Sequence, residues 1–255
     1  MEISEYAEEH IREHIEVVAA EGELLARAAE EAGPDAKVPT CPGWQVRDLL
    51  RHTGMAHRWA TAFVAERHTS YRLVGELPHQ DGDALVAWFR EGYAGLVETL
   101  TTAPSDVECW TFLPASSALA FWTRRQAHET TVHRVDAESA RGGPLSPIDT
   151  AFAVDGIEEL LLGFHARKRS QVRSDVPRVL RVRVTDAPGE RTWTVRLSEG
   201  QPVTERGATA PADCEVAGPA ARLYPALWNR LPFPEVTGDR TLADLWRERS
   251  AIVMS

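Results

Sequence analysis

The chain has 255 residues, and its 28 Lys and Arg side chains against 38 Asp and Glu give a formal net charge of -10. This length allows one large domain or two small ones, each with a core of its own. An acidic chain without a basic block lacks the clustered Lys and Arg that bind a phosphate backbone, which argues against a nucleic-acid partner. The charge is uneven: residues 1–144 contain 13 basic and 23 acidic side chains, whereas residues 145–255 contain 15 of each.

The cysteine pattern and the N-terminus predict a cytoplasmic protein. Cys41, Cys109 and Cys214 are odd in number and far apart, which argues against a disulfide framework and fits a reducing compartment. The first residues are acidic and lack the apolar run of a signal peptide. No stretch approaches the roughly 18 consecutive apolar residues that cross a bilayer, so no membrane partner is expected. No apolar stripe is left over for a subunit contact, and we expect a monomer.

Four long helices are predicted in the first part of the chain. Apolar residues recur at spacings of three, four or seven within residues 2–32, 45–68, 82–101 and 118–140. Gly33 and Pro34 end the first helix, and Gly142, Gly143 and Pro144 end the fourth. Long helices joined by loops are typical of a bundle, so residues 1–144 are predicted to form a four-helix bundle.

The pattern changes after Pro147, where short alternating segments appear. Apolar and polar residues alternate on both sides of a turn at 186–189, which is the period of half-buried strands. The predicted elements are a helix at 148–165, strands at 179–184, 192–197 and 213–217, and helices at 219–229 and 242–250. Residues 145–255 are therefore predicted to form a small α+β domain with an antiparallel sheet.

Two of the predicted helices carry metal-ligating side chains on their inward faces. Glu129 and His133 are four residues apart, so they share one face and can converge on an ion. His128 lies five residues before His133 and cannot share that face, which rejects the H-E-x-x-H zinc motif. His52 lies on the inward stripe of the second helix, and His57 is predicted to face away. Two imidazoles and one carboxylate suit zinc or another divalent transition metal and leave positions open for water or substrate.

A plainer interpretation of these side chains stays open at this point. A single His on an apolar stripe is more often a hydrogen-bonded core residue than a ligand. A Glu four residues before a His is also common on helices by chance. Asp136, which continues the stripe of His133, is predicted to be an ion-pair partner or a hydrogen-bond acceptor rather than a ligand.

Two stretches of the sequence resemble the mycothiol-dependent maleylpyruvate isomerase family. The first runs from Val38 to His52 and reads VPTCPGWQVRDLLRH, and the second runs from Arg124 to Glu138 and reads RRQAHETTVHRVDAE. The resemblance extends over nearly the whole chain. Gln45 and Val135 depart from the family pattern, where a Ser or Thr and a Trp would be usual, but both positions are structural.

The resemblance implies a DinB-like metal-binding four-helix bundle followed by a sterol-carrier-like C-terminal domain. The family's metal ligands, a His on the second helix and a Glu-x-x-x-His on the fourth, correspond to His52, Glu129 and His133. Mycothiol is then the expected thiol cofactor, and the implied reaction is cis-trans isomerisation of maleylpyruvate by reversible addition of a thiolate. Such a substrate carries two negative charges, and Arg222 and Arg230 are the residues expected to bind its carboxylates.

Two other functions stay open on the sequence. The scaffold could instead join mycothiol to an electrophilic metabolite or xenobiotic, which would make the protein a mycothiol S-transferase. It could also be a non-catalytic metal- and ligand-binding protein whose C-terminal domain holds an apolar molecule. An Arg-lined cleft at the metal favours an enzyme, whereas a closed site with four protein ligands favours a binding protein.

Overall fold

The computed structural model describes residues 2–73, 75–189 and 191–252. The chain divides into two units, Met1–Leu145 and Ser146–Ser255. The first unit contains the helices α1 (Glu2–Ala32), α2 (Val46–Ala65), α3 (Gly82–Thr102) and α4 (Ala118–Arg141). Every end of these helices lies within three residues of its predicted position.

Local side-chain contacts explain where these helices begin and end. The backbone N–H of Gln45 donates to the carboxylate of Asp48 at 2.9 Å, so Asp48 caps the start of α2. The hydroxyl of Ser117 accepts from the backbone N–H of Ala120 at 3.1 Å and caps the start of α4. The helix ends at Gly142, whose φ of 82° is the left-handed conformation that glycine adopts without strain.

Helix α4 packs against α1 and α2 and carries many buried polar side chains. α1 packs against α3 and α4, and α2 packs against the same two helices. The guanidinium of Arg134, which is fully buried, donates to Glu21 at 2.6 Å and to Glu138 at 2.7 Å. A buried charge needs such partners, because removing it from water is otherwise costly.

The prediction that His57 faces away from the core is wrong. Its side chain is fully buried, with its ring centroid 5.5 Å from that of Phe89 and its Nε2 2.9 Å from the hydroxyl of Thr130. The reason is that α2 contacts both α3 and α4, so two of its faces are buried and not one. Burial lowers the pKa of His57 to about 3, which keeps the imidazole neutral.

The second unit combines helices with a five-stranded sheet, and the α+β class is confirmed. Helix α5 (Thr150–Glu158) continues into a π-helical segment (Glu159–Phe164). The remaining elements are β1 (Arg178–Val184), β2 (Thr192–Leu197), β3 (Val203–Arg206), β4 (Cys214–Gly218), α6 (Ala220–Leu227), β5 (Glu235–Gly238) and α7 (Arg240–Arg249). The strand order is β3-β2-β1-β4-β5. Three of the four pairings are antiparallel, and β1 with β4 is parallel.

One face of this sheet forms the core of the second unit. Leu180 pairs with Val195 and Val182 pairs with Trp193, and all four side chains are buried. Alternate residues of β1, such as Arg181, lie on the opposite face, as the alternating sequence predicted. Within the described parts of the chain, no helix has both the length and the apolar character that a membrane crossing requires.

Candidate metal centre

The structure brings together the three side chains that the sequence proposed as ligands. The Nε2 atom of His52 on α2 lies 3.4 Å from Oε1 of Glu129 on α4. The Nε2 atom of His133, one turn further along α4, lies 3.2 Å from the same oxygen. One ligand atom from each residue lies within 4.8 Å of the others. The two helices therefore present two imidazoles and one carboxylate to one point.

The packing of α2 against α4 explains this convergence. Contacts between the two helices run in opposite chain directions, since His57 contacts Thr130 whereas Trp59, further along α2, contacts Trp122, further back along α4. Because His52 precedes His57 on α2, its neighbours on α4 lie near Thr130 or after it, which is where Glu129 and His133 are. Glu129 and His133 are four residues apart and stack on one side of their helix.

The separations fit a bound divalent ion. With bonds of about 2.0 to 2.1 Å, a tetrahedral zinc ion separates its ligand atoms by about 3.3 to 3.4 Å. The Oε1 atom of Glu129 lies 3.4 Å and 3.2 Å from the two imidazole nitrogens. Three protein ligands would leave a coordination position for water or a small molecule.

Further polar contacts orient two of these side chains. Asp136, which is fully buried, lies 2.8 Å from Nδ1 of His133, so the other ring nitrogen is the one that faces Glu129. Arg125 donates to Oε2 of Glu129 at 3.2 Å and leaves Oε1 toward the two imidazoles. The predicted role of Asp136 as a hydrogen-bond acceptor agrees with this geometry. The equivalent part played by Arg125 was not predicted, although its spacing of four from Glu129 was visible in the sequence.

The electrostatics of the site favour a positive charge between the carboxylates. Burial alone would lower the pKa of His133, but hydrogen bonds with Asp136 and Glu129 outweigh it and raise the pKa to about 9. Burial would likewise raise the pKa of Glu129, but hydrogen bonds with His133 and His52 and the charge of Arg125 hold it well below its usual value. A metal cation that replaced the proton on Nε2 of His133 would be stabilised by the carboxylates of Glu129 and Asp136 in the same way.

A loop before α2, which we call the 38–44 loop, completes the surroundings of the site. The hydroxyl of Thr40 donates to Oδ1 of Asp136 at 2.5 Å, and the thiol of Cys41 lies 3.4 Å from Oδ2. The ring centroid of Trp44 lies 5.0 Å from that of His52 and 6.3 Å from that of His133. No contact of Thr40 or Cys41 with the site was predicted, because their contacts with α4 join positions almost 100 residues apart in the sequence.

The site is open on the side of His52. The side chain of His52 is 41% exposed, against 24% for Glu129 and 8% for His133. A small molecule can therefore approach the candidate centre from the His52 side.

Arg222 and Arg230, the predicted carboxylate-binding residues, lie in the second unit near the two ends of α6. The side chain of Arg222 is exposed on the first turn of the helix. Arg230 follows the end of α6, is half-buried, and donates from Nη1 to the backbone oxygen of Trp228 at 2.7 Å. Their role in substrate binding stays a prediction.

Comparison with known proteins identifies the family. The model of the mycothiol maleylpyruvate isomerase N-terminal domain matches residues 16–138, and the model of the MDMPI C-terminal domain matches residues 151–245. No curated protein sequence matches this chain at a significant level.

Two solved structures share the fold. A histidine-to-alanine mutant of the mycothiol-dependent maleylpyruvate isomerase is 12% identical with a TM-score of 0.57, over 86% of this chain and 89% of its own. A structure of the mycothiol-dependent maleylpyruvate isomerase itself is 13% identical with a TM-score of 0.56, over 84% and 87%. Because both family models match in order along most of its length, the chain belongs to the mycothiol-dependent maleylpyruvate isomerase family.

Proposed function

We propose that this protein is a metal-dependent and mycothiol-dependent enzyme that resembles maleylpyruvate isomerase. In this proposal His52, Glu129 and His133 hold a divalent metal, for which zinc is the best candidate. The reaction would be cis-trans isomerisation of a small unsaturated acid by reversible addition of a thiolate. The observation that carries the proposal is the convergence of these three side chains within 4.8 Å in the domain that matches the family's N-terminal model.

The residues around the proposed metal have separable tasks. A divalent cation held there would lower the pKa of a coordinated thiol and favour the nucleophilic thiolate at neutral pH. Arg125 and Asp136 hold Glu129 and His133 in the orientation that faces the ion. The indole of Trp44 lies against both imidazoles and keeps water from that side. The partly exposed His52 marks the side from which mycothiol and substrate would enter.

Metal analysis tests the first part of this proposal. Purified wild-type protein should contain about one equivalent of a divalent transition metal, and His133→Ala should lose it because two ligands hold an ion far less tightly than three. His79→Ala is the matched control, since His79 is an exposed histidine of the same unit. A wild-type protein that neither contains metal nor binds added zinc would refute the metal centre.

An assay of the reaction tests the second part and separates the alternatives. One fold hosts several reactions, so turnover must be measured directly. Isomerisation of maleylpyruvate that needs mycothiol but does not consume it would support the isomerase. Consumption of mycothiol in equal amount with an added electrophile, without isomerisation, would indicate the S-transferase. Metal binding with neither reaction would indicate the non-catalytic binding protein.

A further inference from the structure

Besides the ring of Trp44, the 38–44 loop contacts the candidate metal centre through the buried carboxylate of Asp136. The carboxylate of Asp136 connects the loop with His133: Oδ1 accepts from the hydroxyl of Thr40 at 2.5 Å, and Oδ2 lies 2.8 Å from Nδ1 of His133 and accepts from the thiol of Cys41 at 3.4 Å. The carboxylate is fully buried, so water does not compete for these bonds. A chain of polar contacts, which we call the relay, therefore runs from Thr40 in the loop through Asp136 to His133.

The loop holds Thr40 in place independently of Asp136. A bridge between Lys37 and Gln45 closes the base of the loop. The backbone N–H of Val38 donates to the carbonyl of Trp44 at 3.0 Å, and the N–H of Trp44 donates to Cys41 at 3.0 Å. The Thr40 hydroxyl is thus a donor in a fixed position. Its hydrogen bond to Oδ1 holds the carboxylate of Asp136 in one orientation.

The orientation of Asp136 determines which nitrogen of His133 is free. When Asp136 accepts a hydrogen bond from the N–H at Nδ1, the lone pair of the neutral imidazole lies on Nε2, which faces Glu129. Partners of this kind on the far side of a ligating histidine fix its ring and increase its basicity, and losing them typically weakens metal binding by about 10- to 100-fold. The carboxylate can do this only while its own orientation is fixed.

We propose that Thr40 and Asp136 are positioning residues that fix the orientation and tautomer of His133 as a metal ligand. The 38–44 loop is then part of the metal centre, although it supplies no ligand. This inference rests on the metal binding proposed above. It adds that a residue almost 100 positions away in the sequence controls the affinity for the ion.

The experiment compares four variants of the full-length protein. Thr40→Val removes the hydroxyl and keeps the shape, whereas Thr40→Ser keeps the hydroxyl. Asp136→Asn keeps the shape and removes the charge, and its amide can still donate to the Thr40 oxygen. Ser139→Ala is the control, because the Ser139 hydroxyl lies 3.2 Å from that of Thr40 and its other hydrogen bond is to the backbone oxygen of Asp136, not to the carboxylate. Circular dichroism of the metal-free proteins confirms that each variant folds.

Two readouts are measured, the zinc dissociation constant by competition with a chelator and the visible absorption spectrum of the protein loaded with Co²⁺. We expect Thr40→Val and Asp136→Asn to weaken zinc binding by about 10-fold or more and to shift the Co²⁺ bands. Thr40→Ser and Ser139→Ala should stay within about 2-fold of wild type.

The outcomes separate this inference from the proposed function. If wild-type protein binds zinc but Thr40→Val and Asp136→Asn bind it equally well with unchanged Co²⁺ bands, the relay is refuted and the metal centre stands. If Ser139→Ala weakens binding as much as Thr40→Val, a general disturbance of the packing between the loop and α4 explains the loss, and the relay is refuted as well. Absence of zinc binding by the wild type would overturn the metal centre and the relay together.

Discussion

Individual side chains at the candidate metal centre differ in how firmly they are held. Glu129 is fixed by Arg125 and His133 by Asp136, while His52 lies against the ring of Trp44 and is the most exposed of the three. A ligand atom with a second polar contact behind it loses little freedom when an ion binds. We therefore regard Glu129 and His133 as the preformed part of the site and His52 as its adjustable part.

Arg222 of the second unit is expected to bind an anionic substrate. Arg222→Ala should lower kcat/KM for an anionic substrate by about 10- to 100-fold, because a charge-assisted hydrogen bond contributes about 1.5 to 3 kcal/mol. Metal content should not change. Steady-state kinetics and metal analysis of the same preparations measure both effects.

Arg240→Ala is the control, because Arg240 is another exposed arginine of the second unit. Equal kcat/KM for Arg222→Ala and wild type would remove Arg222 from the proposed substrate site.

The helices and the sheet differ in how far the sequence specifies them. The amphipathic pattern places α1 to α4 within three residues, because a long helix repeats its apolar stripe many times. The edge strands β3 and β5 were not predicted. Each has four residues, exposed or half-buried, so neither shows an apolar alternation, and each exists because a neighbouring strand offers hydrogen bonds.

The end of β5 gives a prediction at the scale of elements. Gly238 has a φ of 79°, and a Cβ added there would lie 2.3 Å from the backbone oxygen of Asp213. Gly207 has a similar φ of 89° but open space around it. Gly207→Ala should therefore lower the free energy of unfolding only by the cost of the left-handed conformation, about 1 to 2 kcal/mol. Gly238→Ala should lower it by about 1 to 3 kcal/mol more, because the added Cβ also overpacks the site.

Urea denaturation of the two glycine variants measures this difference. Equal free energies of unfolding for Gly238→Ala and Gly207→Ala would contradict the close approach between β5 and the residue before β4.

At the scale of the whole molecule, the two halves of the chain have different electrostatic characters. The first 144 residues carry the entire net charge of -10, and eight of the nine histidines. A negative unit attracts a metal cation and repels an anionic substrate. Local positive groups, namely the proposed ion and arginines, would therefore have to bind the substrate against the field of the first unit.

His165 is the histidine that lies outside the first 144 residues, and its burial makes the free energy of unfolding depend on pH. His165 is buried, its Nδ1 lies 3.0 Å from the hydroxyl of Ser170, and burial lowers its pKa to about 4. The unfolded chain binds a proton below about pH 6.5 and the folded chain only below about pH 4, so stability falls on acidification through that window. At pH 5 the contribution of His165 to this loss is about 2 kcal/mol relative to pH 7, and the buried His57 adds a loss of the same sign.

The variant His165→Gln removes the titrating group and tests this dependence. The difference between the free energies of unfolding at pH 7 and pH 5, measured with urea, should be smaller in the variant than in the wild type by about 2 kcal/mol. The comparison cancels the contributions of the other titrating groups, namely the carboxylates and the remaining histidines, which are common to both proteins. An unchanged difference would contradict the lowered pKa of His165.

The amino-acid sequence alone is enough to predict the features that repeat along the chain or that lie within one helix or strand. It determined the four long helices, the α+β class of the second unit, the family, and the shared face of Glu129 and His133, since each depends on spacing along the chain. Tertiary structure alone decided that His57 is buried, that β1 and β4 are parallel, and that Thr40 meets Asp136. Such features are contacts between distant segments, and their geometry follows from how whole elements pack.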